Sequence, residues 1–443
     1  MDIPSLIAAF GGFTWFVVAF VVALSVIVAI HEYGHYIVGR WCGIHAEVFS
    51  LGFGPVLAAR TDRRGTRWQI AALPFGGYVK FLGDANAASG KDGEVVSSLS
   101  PEERRRTMHG APLWARVLTI AAGPVFNFIL SFFVFAAFFM ANGTAKEPLQ
   151  IASLMPVPYE TELQEGDVIL EIDGQDARSY AAIDALEDLP REPVLPYTVE
   201  RAGDVITVSG SHPSPTLATG ISLESAAQDA GLRAGDVILS MNGTPVAVFA
   251  QMVEIVQEVQ GAPILLEVWR DGDTFETTLT PRATDERQPG GGFQTNWRIG
   301  IQGGGFFEPV TTALGPVEAV PTAAAQVWLI IISSLDGLWN MITGAISTCN
   351  LSGPIGIAET AGTMASLGLE QFVWFIAVLS TAVGLLNLFP IPVLDGGHLV
   401  FHAYEAVSGK PPSDRALNIL MTFGLMVIAT LMILGLSSDL FCP

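Results

Sequence analysis

The chain has 443 residues, of which 50% are hydrophobic and only 15% charged, with a formal net charge of −21 and a mean hydropathy of +0.46. That balance excludes an ordinary soluble globule and leaves a membrane protein with room for one or two soluble domains. The acidic surplus lies between Lys146 and Glu318, which argues against a nucleic-acid partner, and three scattered cysteines (Cys42, Cys349, Cys442) do not make a disulfide framework.

The first apolar run, Phe13 to Ile30, carries no charged side chain and is long enough to span a bilayer. It lacks a basic leader and ends without a small-residue cleavage site, so it reads as a retained span rather than a signal peptide. It leads into His31-Glu32-Tyr33-Gly34-His35. On a helix, two histidines four apart share one face and can grip one metal ion, and Glu32 beside them can act as the base on an attacking water. Ionisable groups inside a span are costly and usually functional. Two histidines merely lining a bundle interior are the competing reading.

The following segment is basic: Arg40, Arg60, Arg63, Arg64, Arg67, Lys80, Lys91 and the run Arg104-Arg105-Arg106 place it on the cytoplasmic side and the acidic block outside. Within it, Ala71–Phe81 is β-prone and rich in glycine. A helical substrate must unwind before its carbonyls can be attacked, and unwound backbone in a bilayer needs new partners. A strand edge dipping in after the first span would supply them, making Gly76, Gly77 and Tyr78 candidate substrate-binding residues; a plain cytoplasmic hairpin is the alternative. The second span, Val117 to Ala141, holds Gly123-Pro124 and a lone Asn127, which either bonds a neighbouring helix or lines a water-filled cavity.

The acidic block repeats itself. Gly166-Asp167-Val168-Ile169-Leu170 recurs as Gly235-Asp236-Val237-Ile238-Leu239, an offset of 69 that also carries Arg201, Gly203 and Asp204 onto Arg270, Gly272 and Asp273. Two copies of one domain are expected, at 148–213 and 217–283, each with short strands, Asp-Gly or Asn-Gly turns and one helical stretch (Tyr180–Leu189 and Phe249–Val259). Ala226–Ile238 resembles the core of a PDZ domain, as does Leu163–Leu170. Such domains bind extended peptides beside a groove, and a pair can equally serve as a steric filter. The first copy is shortened, with Pro156-Val157-Pro158-Tyr159 ahead of Gly166.

Farther on, Gln326–Ile346 has Asp336 at its middle, with Ser333, Asn340 and Thr343 on the same face and Val327, Ile330, Ile331 and Leu335 on another, the pattern of a helix lying in the interface. The runs Phe372–Leu394 and Ala416–Ser437 complete four expected spans. Were Gln326–Ile346 to cross as well, the Phe372–Leu394 span would end across the bilayer from His31 and His35. That span closes in Asn387-Leu388-Phe389-Pro390-Ile391-Pro392-Val393-Leu394-Asp395-Gly396-Gly397-His398. The prolines stop the helix and a carboxylate follows at membrane depth. His31, His35 and Asp395 would give tetrahedral zinc two nitrogens and one oxygen, with the fourth position open to water. His398 and His402 read as solvent-facing residues at a helix start, with an orienting role for His398 as the alternative; His45, His109 and His212 fall in loops and carry no signal.

H-E-x-x-H in a first span with N-x-x-P-x-P-x-x-D-G in a later one resembles the site-2 protease family of intramembrane zinc metalloproteases, and two PDZ copies between the second and third spans resemble its bacterial regulator-of-sigma-E type. The similarity covers nearly the whole chain, including Phe53-Gly54-Pro55, Pro74–Lys80, Gly123–Asn127 and Ser352–Gly356. The resemblance implies a Zn2+ enzyme of the bacterial inner membrane with periplasmic PDZ domains and an active site near the cytoplasmic side. It further implies cleavage of single-span proteins such as an anti-sigma factor already trimmed by another protease, leftover signal peptides as a second substrate class, and Asn387 against the substrate backbone.

The expected fold is thus a membrane α-helical core of four transmembrane helices with tandem β-rich PDZ domains between the second and third. The expected segments are 1–41, 42–112, 113–143, the two copies, 284–370, 371–398 and 415–438. A PDZ-bearing scaffold with a vestigial metal site and a zinc transporter are the competing functions, and Glu32 separates them from a protease, because neither needs a carboxylate beside the first ligand.

Overall fold

The uncharged run before His31 has no helix breaker, and in a bilayer its backbone must satisfy itself; it forms a single helix, α1 (Ile3–Trp41). The computed structural model describes residues 3–84, 99–186, 188–222, 225–287, 293–344 and 352–441, so Lys91, Cys349 and Cys442 lie outside the described residues. Two compact units result: Met1–Phe139 with Pro316–Ile342 and Thr348–Cys442, and a second made mainly of Met140–Gly315.

In the first unit, α1 is followed by two long antiparallel strands, β1 (Ala46–Thr61) and β2 (Arg67–Phe81). Both bend. Val48 faces Arg67 as well as Lys80, and Leu51 faces Ile70 as well as Gly77, so the first half of β1 is flanked on both sides and Gly77–Phe81 forms an edge. Gly52, with φ of +87°, lets the chain turn where a Cβ would stand 2.8 Å from Leu73 O.

The helices that follow are α2 (Leu113–Asn142), α3 (Pro316–Ile342), α4 (Pro354–Leu367), α5 (Leu369–Asn387), α6 (Asp395–Ser408) and α7 (Asp414–Phe441). Among the described residues, five helices are long and apolar enough to cross a membrane, α3 being one of them with the lowest mean hydropathy, 1.4. The segment expected to lie in the interface therefore belongs to a helix that starts ten residues earlier than Gln326. Ala323, Val327 and Ile330 of α3 pack with Phe135 of α2 and Trp374 and Ala377 of α5, while Trp328, Ile332, Leu335 and Trp339 stay exposed.

Helix α4 was not expected from the sequence. It packs on α1, where Trp15 Nε1 donates to Gly362 O at 3.2 Å, and its first turn is capped by Asp439 of α7, which accepts the Gly353 and Ile355 N–H groups at 2.7 and 2.9 Å. Helix α5 stops at Asn387, short of Leu394, because Pro390 and Pro392 cannot donate to a helical ladder.

In the second unit each repeat forms the same four-stranded antiparallel sheet. The spatial order is Gln175–Asp176, Val168–Ile172, Val194–Arg201, Asp204–Ser211 in one copy and Thr244–Pro245, Val237–Met241, Ile264–Arg270, Asp273–Leu279 in the other. The Asp173-Gly174 and Asn242-Gly243 turns put both residues at positive φ, as tight hairpins with matching twist require. The repeat extends to an ion pair: Arg201 grips Asp167 at 2.6 Å and Arg270 grips Asp236 at 2.6 Å. The helical stretches are Tyr180–Asp184, shorter than expected, and Phe249–Glu258.

Both copies also borrow strands from beyond residue 300, within the stretch expected to be a separate region. Ile301–Gly303 pairs with Ala218–Ile221 of the second copy. Phe307–Pro309 pairs with Ile151–Leu154 of the first, and Phe306 is fully buried in that copy's core with Ile169, Ile172 and Tyr197.

Candidate metal centre

His31, Glu32 and His35 lie on the stretch of α1 that presses against α2, and two glycines make that approach possible. A Cβ at Gly34 would stand 2.5 Å from Ala122 O, and one at Gly123 would stand 2.5 Å from His35 Cε1 and 2.8 Å from His31 Cε1. His35 Nδ1 sits 2.8 Å from the Thr119 carbonyl. A carbonyl only accepts, so Nδ1 carries the proton and Nε2 keeps its lone pair.

That lone pair points at two other donor atoms. His31 Nε2 is 3.2 Å from His35 Nε2, and Asp395 Oδ2 is 3.0 Å from His31 Nε2 and 3.4 Å from His35 Nε2. Asp395 reaches the site from the first turn of α6. The proline turn folds back onto that helix start, where a Cβ at Gly396 or Gly397 would strike the carbonyls of Leu388, Phe389 or Ile391. This is the packing reason for Asp-Gly-Gly.

Zinc suits this donor set. Bonds of about 2.0–2.1 Å in a tetrahedron separate neighbouring donors by about 3.3 Å, and the three separations here run from 3.0 to 3.4 Å. Asp395 Oδ2 is moreover buried, with the two imidazole nitrogens as its polar neighbours. These residues are also the group of His, Cys, Asp and Glu side chains, among those described, close enough to share an ion.

The three side chains and Glu32 line a cavity of about 310 Å3 that Gly77, Tyr78 and Asn387 also line. Gly76 is not among its lining residues; its φ of +133° and a would-be Cβ 2.5 Å from Phe53 Cε2 account for the glycine. The edge of β2 lies against the catalytic candidate: Val79 lines the same cavity as Glu32, and a Cβ at Gly77 would stand 3.2 Å from Glu32 Cγ. Asn387 donates its amide to Val383 O at 3.0 Å.

Three histidines depart from expectation. His398 and His402, expected to face solvent, line this cavity, as does His109, which sits 3.4 Å from the buried Asp84. The spacing 395, 398, 402 on one helical face was a signal for the first two. His109 had none, because its neighbours come from distant segments. Arg116 of α2 closes the same wall and holds Glu405 of α6 with two bonds of 2.9 and 2.7 Å.

The profile of peptidase family M50 matches residues 19–431. The chain belongs to this family. Its relatives include a provisionally named zinc metalloprotease of Rhizobium meliloti (strain 1021), 36% identical over 424 residues and 95% of each chain. Another is a protein of Agrobacterium fabrum given the same kind of name, 34% identical over 98% of each chain. The regulator of sigma-E protease of Escherichia coli (strain K12) is 33% identical, covering 96% of this chain and 98% of the relative. This M50 peptidase is therefore a zinc metallopeptidase of the site-2 protease family, with several helices apolar enough to cross a membrane.

Proposed function

We propose that this M50 peptidase is an intramembrane endopeptidase that cuts single-span membrane proteins of the anti-sigma-factor type after another protease has trimmed them, with leftover signal peptides as a second substrate class. One observation carries the reading: His31, His35 and Asp395 converge at 3.0–3.4 Å beside Glu32, in a cavity walled by a strand edge. The name of the Escherichia coli relative supports the substrate class.

His31, His35 and Asp395 hold the metal. When bound, zinc lowers the pKa of a water and polarises the scissile carbonyl. Glu32 takes the proton of the attacking water on a carboxylate oxygen as the new C–O bond forms, then delivers it to the amide nitrogen as the C–N bond breaks. Gly77, Tyr78 and the neighbouring backbone of β2 offer N–H and C=O groups to an unwound substrate, which finds no water partners at this depth, while Gly76 shapes the turn before them. Asn387 contacts the substrate backbone near the scissile bond.

The same reading gives four spans in a bacterial inner membrane, with α3 in the interface. Its low hydropathy, its half-packed face and the exposed Trp328 and Trp339 support that placement. The basic loop is cytoplasmic, the active site lies near that side, and the two β-sheet repeats are periplasmic PDZ domains. The test is cleavage of a single-span reporter in proteoliposomes by wild type and Glu32→Gln, with zinc content measured on both. The variant should keep its zinc and lose cleavage; equal cleavage would overturn the assignment. Undiminished zinc in Asp395→Ala would remove Asp395 from the ligand set.

A further inference from the structure

Resting on that zinc site, one buried side chain beside it acquires a role. Asn127 of α2 is 0% exposed, and its Oδ1 has no hydrogen-bond partner among the described residues. Its Nδ2 lies 3.2 Å from His31 Nδ1. With Nδ2 donating, the His31 proton sits on Nε2, the atom 3.0 Å from Asp395 Oδ2, and that nitrogen cannot ligate a metal. A carboxamide turned by 180° exchanges its oxygen and nitrogen. Oδ1 then accepts from His31 Nδ1–H, and Nε2 presents a bare lone pair, as His35 Nε2 already does through Thr119.

The backbone of the same residue is a second anchor. Asn127 O accepts from Ser380 Oγ of α5 at 3.1 Å and from Ser131 Oγ at 3.0 Å, and Ser131 Oγ also reaches Ala377 O at 2.8 Å. A Cβ at Gly384 would stand 3.1 Å from Asn127 Cβ. Helix α5 leads through the proline turn to Asp395. One residue thus touches both sides of the ligand set.

We infer that Asn127 is the positioning residue of this centre: its side-chain oxygen accepts the His31 Nδ1–H and fixes the tautomer and ring orientation in which Nε2 can ligate. Partners of this kind typically change metal affinity by about 10–100-fold. The side chain of Asp only accepts, that of Leu does neither, and the two separate the role from mere space-filling.

The experiment is a zinc titration of the purified full chain against a competing chelator, for wild type, His31→Ala, Asn127→Leu and Asn127→Asp. Asn127→Leu should weaken zinc about 10–100-fold, while Asn127→Asp should stay within a few-fold of wild type. Wild-type affinity in Asn127→Leu overturns the inference, and so does an Asp variant as weak as the Leu variant. If Leu disturbs folding, as read by thermal unfolding, Asn127→Ala against Asn127→Asp gives the same ratio. His31→Ala separates the two levels: zinc retained there means the proposed ligand set fails, whereas zinc lost there and kept in Asn127→Leu means only the positioning role fails.

Discussion

Gly123→Ala tests whether the metal centre depends on how closely α1 and α2 approach. The added methyl would stand 2.5 Å from His35 Cε1 and 2.8 Å from His31 Cε1, and closer still to His35 Nε2. Ordinary carbon contacts lie at about 3.5–4.0 Å, so one or both rings must retreat by about 1 Å. Metal sites tolerate about 0.2 Å in ligand distance, and a misplacement of about 1 Å at a reacting centre costs about a hundredfold in rate. Alanine is also the better helix former by about 0.5–1 kcal/mol, so α2 itself has no reason to unfold. The expected result is zinc binding weakened at least about tenfold, reporter cleavage down about a hundredfold, and an unchanged helical circular-dichroism signal. A Gly123→Ala protein with wild-type zinc affinity and cleavage would refute the reasoning.

Val79→Pro removes one N–H from the edge of β2 that lines the cavity with Glu32 and should cut proteolysis at least about tenfold while the protein stays folded; unchanged proteolysis in a folded variant would show that backbone pairing there is irrelevant. Burial raises the Asp167 carboxyl, but the Arg201 bonds, the Gln164 N–H and the Arg201 charge outweigh it and leave its pKa below the ordinary value. Because the folded value is the lower one, the pair stabilises its repeat fully above about pH 4 and loses that contribution as the pH falls through the lowered value. Asp167→Asn should therefore cost about 1–3 kcal/mol near neutral pH and flatten the acid limb of the thermal-unfolding profile; a variant with the wild-type profile would contradict this. Glu405→Gln leaves Arg116 half-paired at a partly buried position and should lower thermal stability by about 1–3 kcal/mol, part of it recovered in Arg116→Glu combined with Glu405→Arg. No change in the single variant, or no recovery in the double, would remove the pair as a brace between α2 and α6.

What the sequence made readable follows from distance along the chain. His31, Glu32 and His35 announce themselves because one helical turn fixes their geometry, and Asp395 because two prolines must end a helix just before it. The repeat was visible because its turns need Gly, Asp or Asn at fixed points. Gly123 and Asn127 were only oddities in an apolar run, since their purpose is contact with residues nearly a hundred positions earlier. The strands at Ile301–Gly303 and Phe307–Pro309 are three residues each, too short for alternation to show. Helix α4 hid behind Ser352-Gly353-Pro354, which reads as loop until Asp439 supplies its missing cap.

The strand pairings beyond residue 300 nest one repeat inside the other: Ile151–Leu154 waits for Phe307–Pro309, and everything that makes the second sheet lies between them. A ribosome delivers the chain from the N-terminus, so the repeat that emerges first is the last to close, and its Ile169 and Tyr197 stay uncovered until Phe306 arrives. The two domains mature from the inside out: the second repeat is one continuous stretch of chain, whereas two cuts that free the first with all its strands take the second along with it.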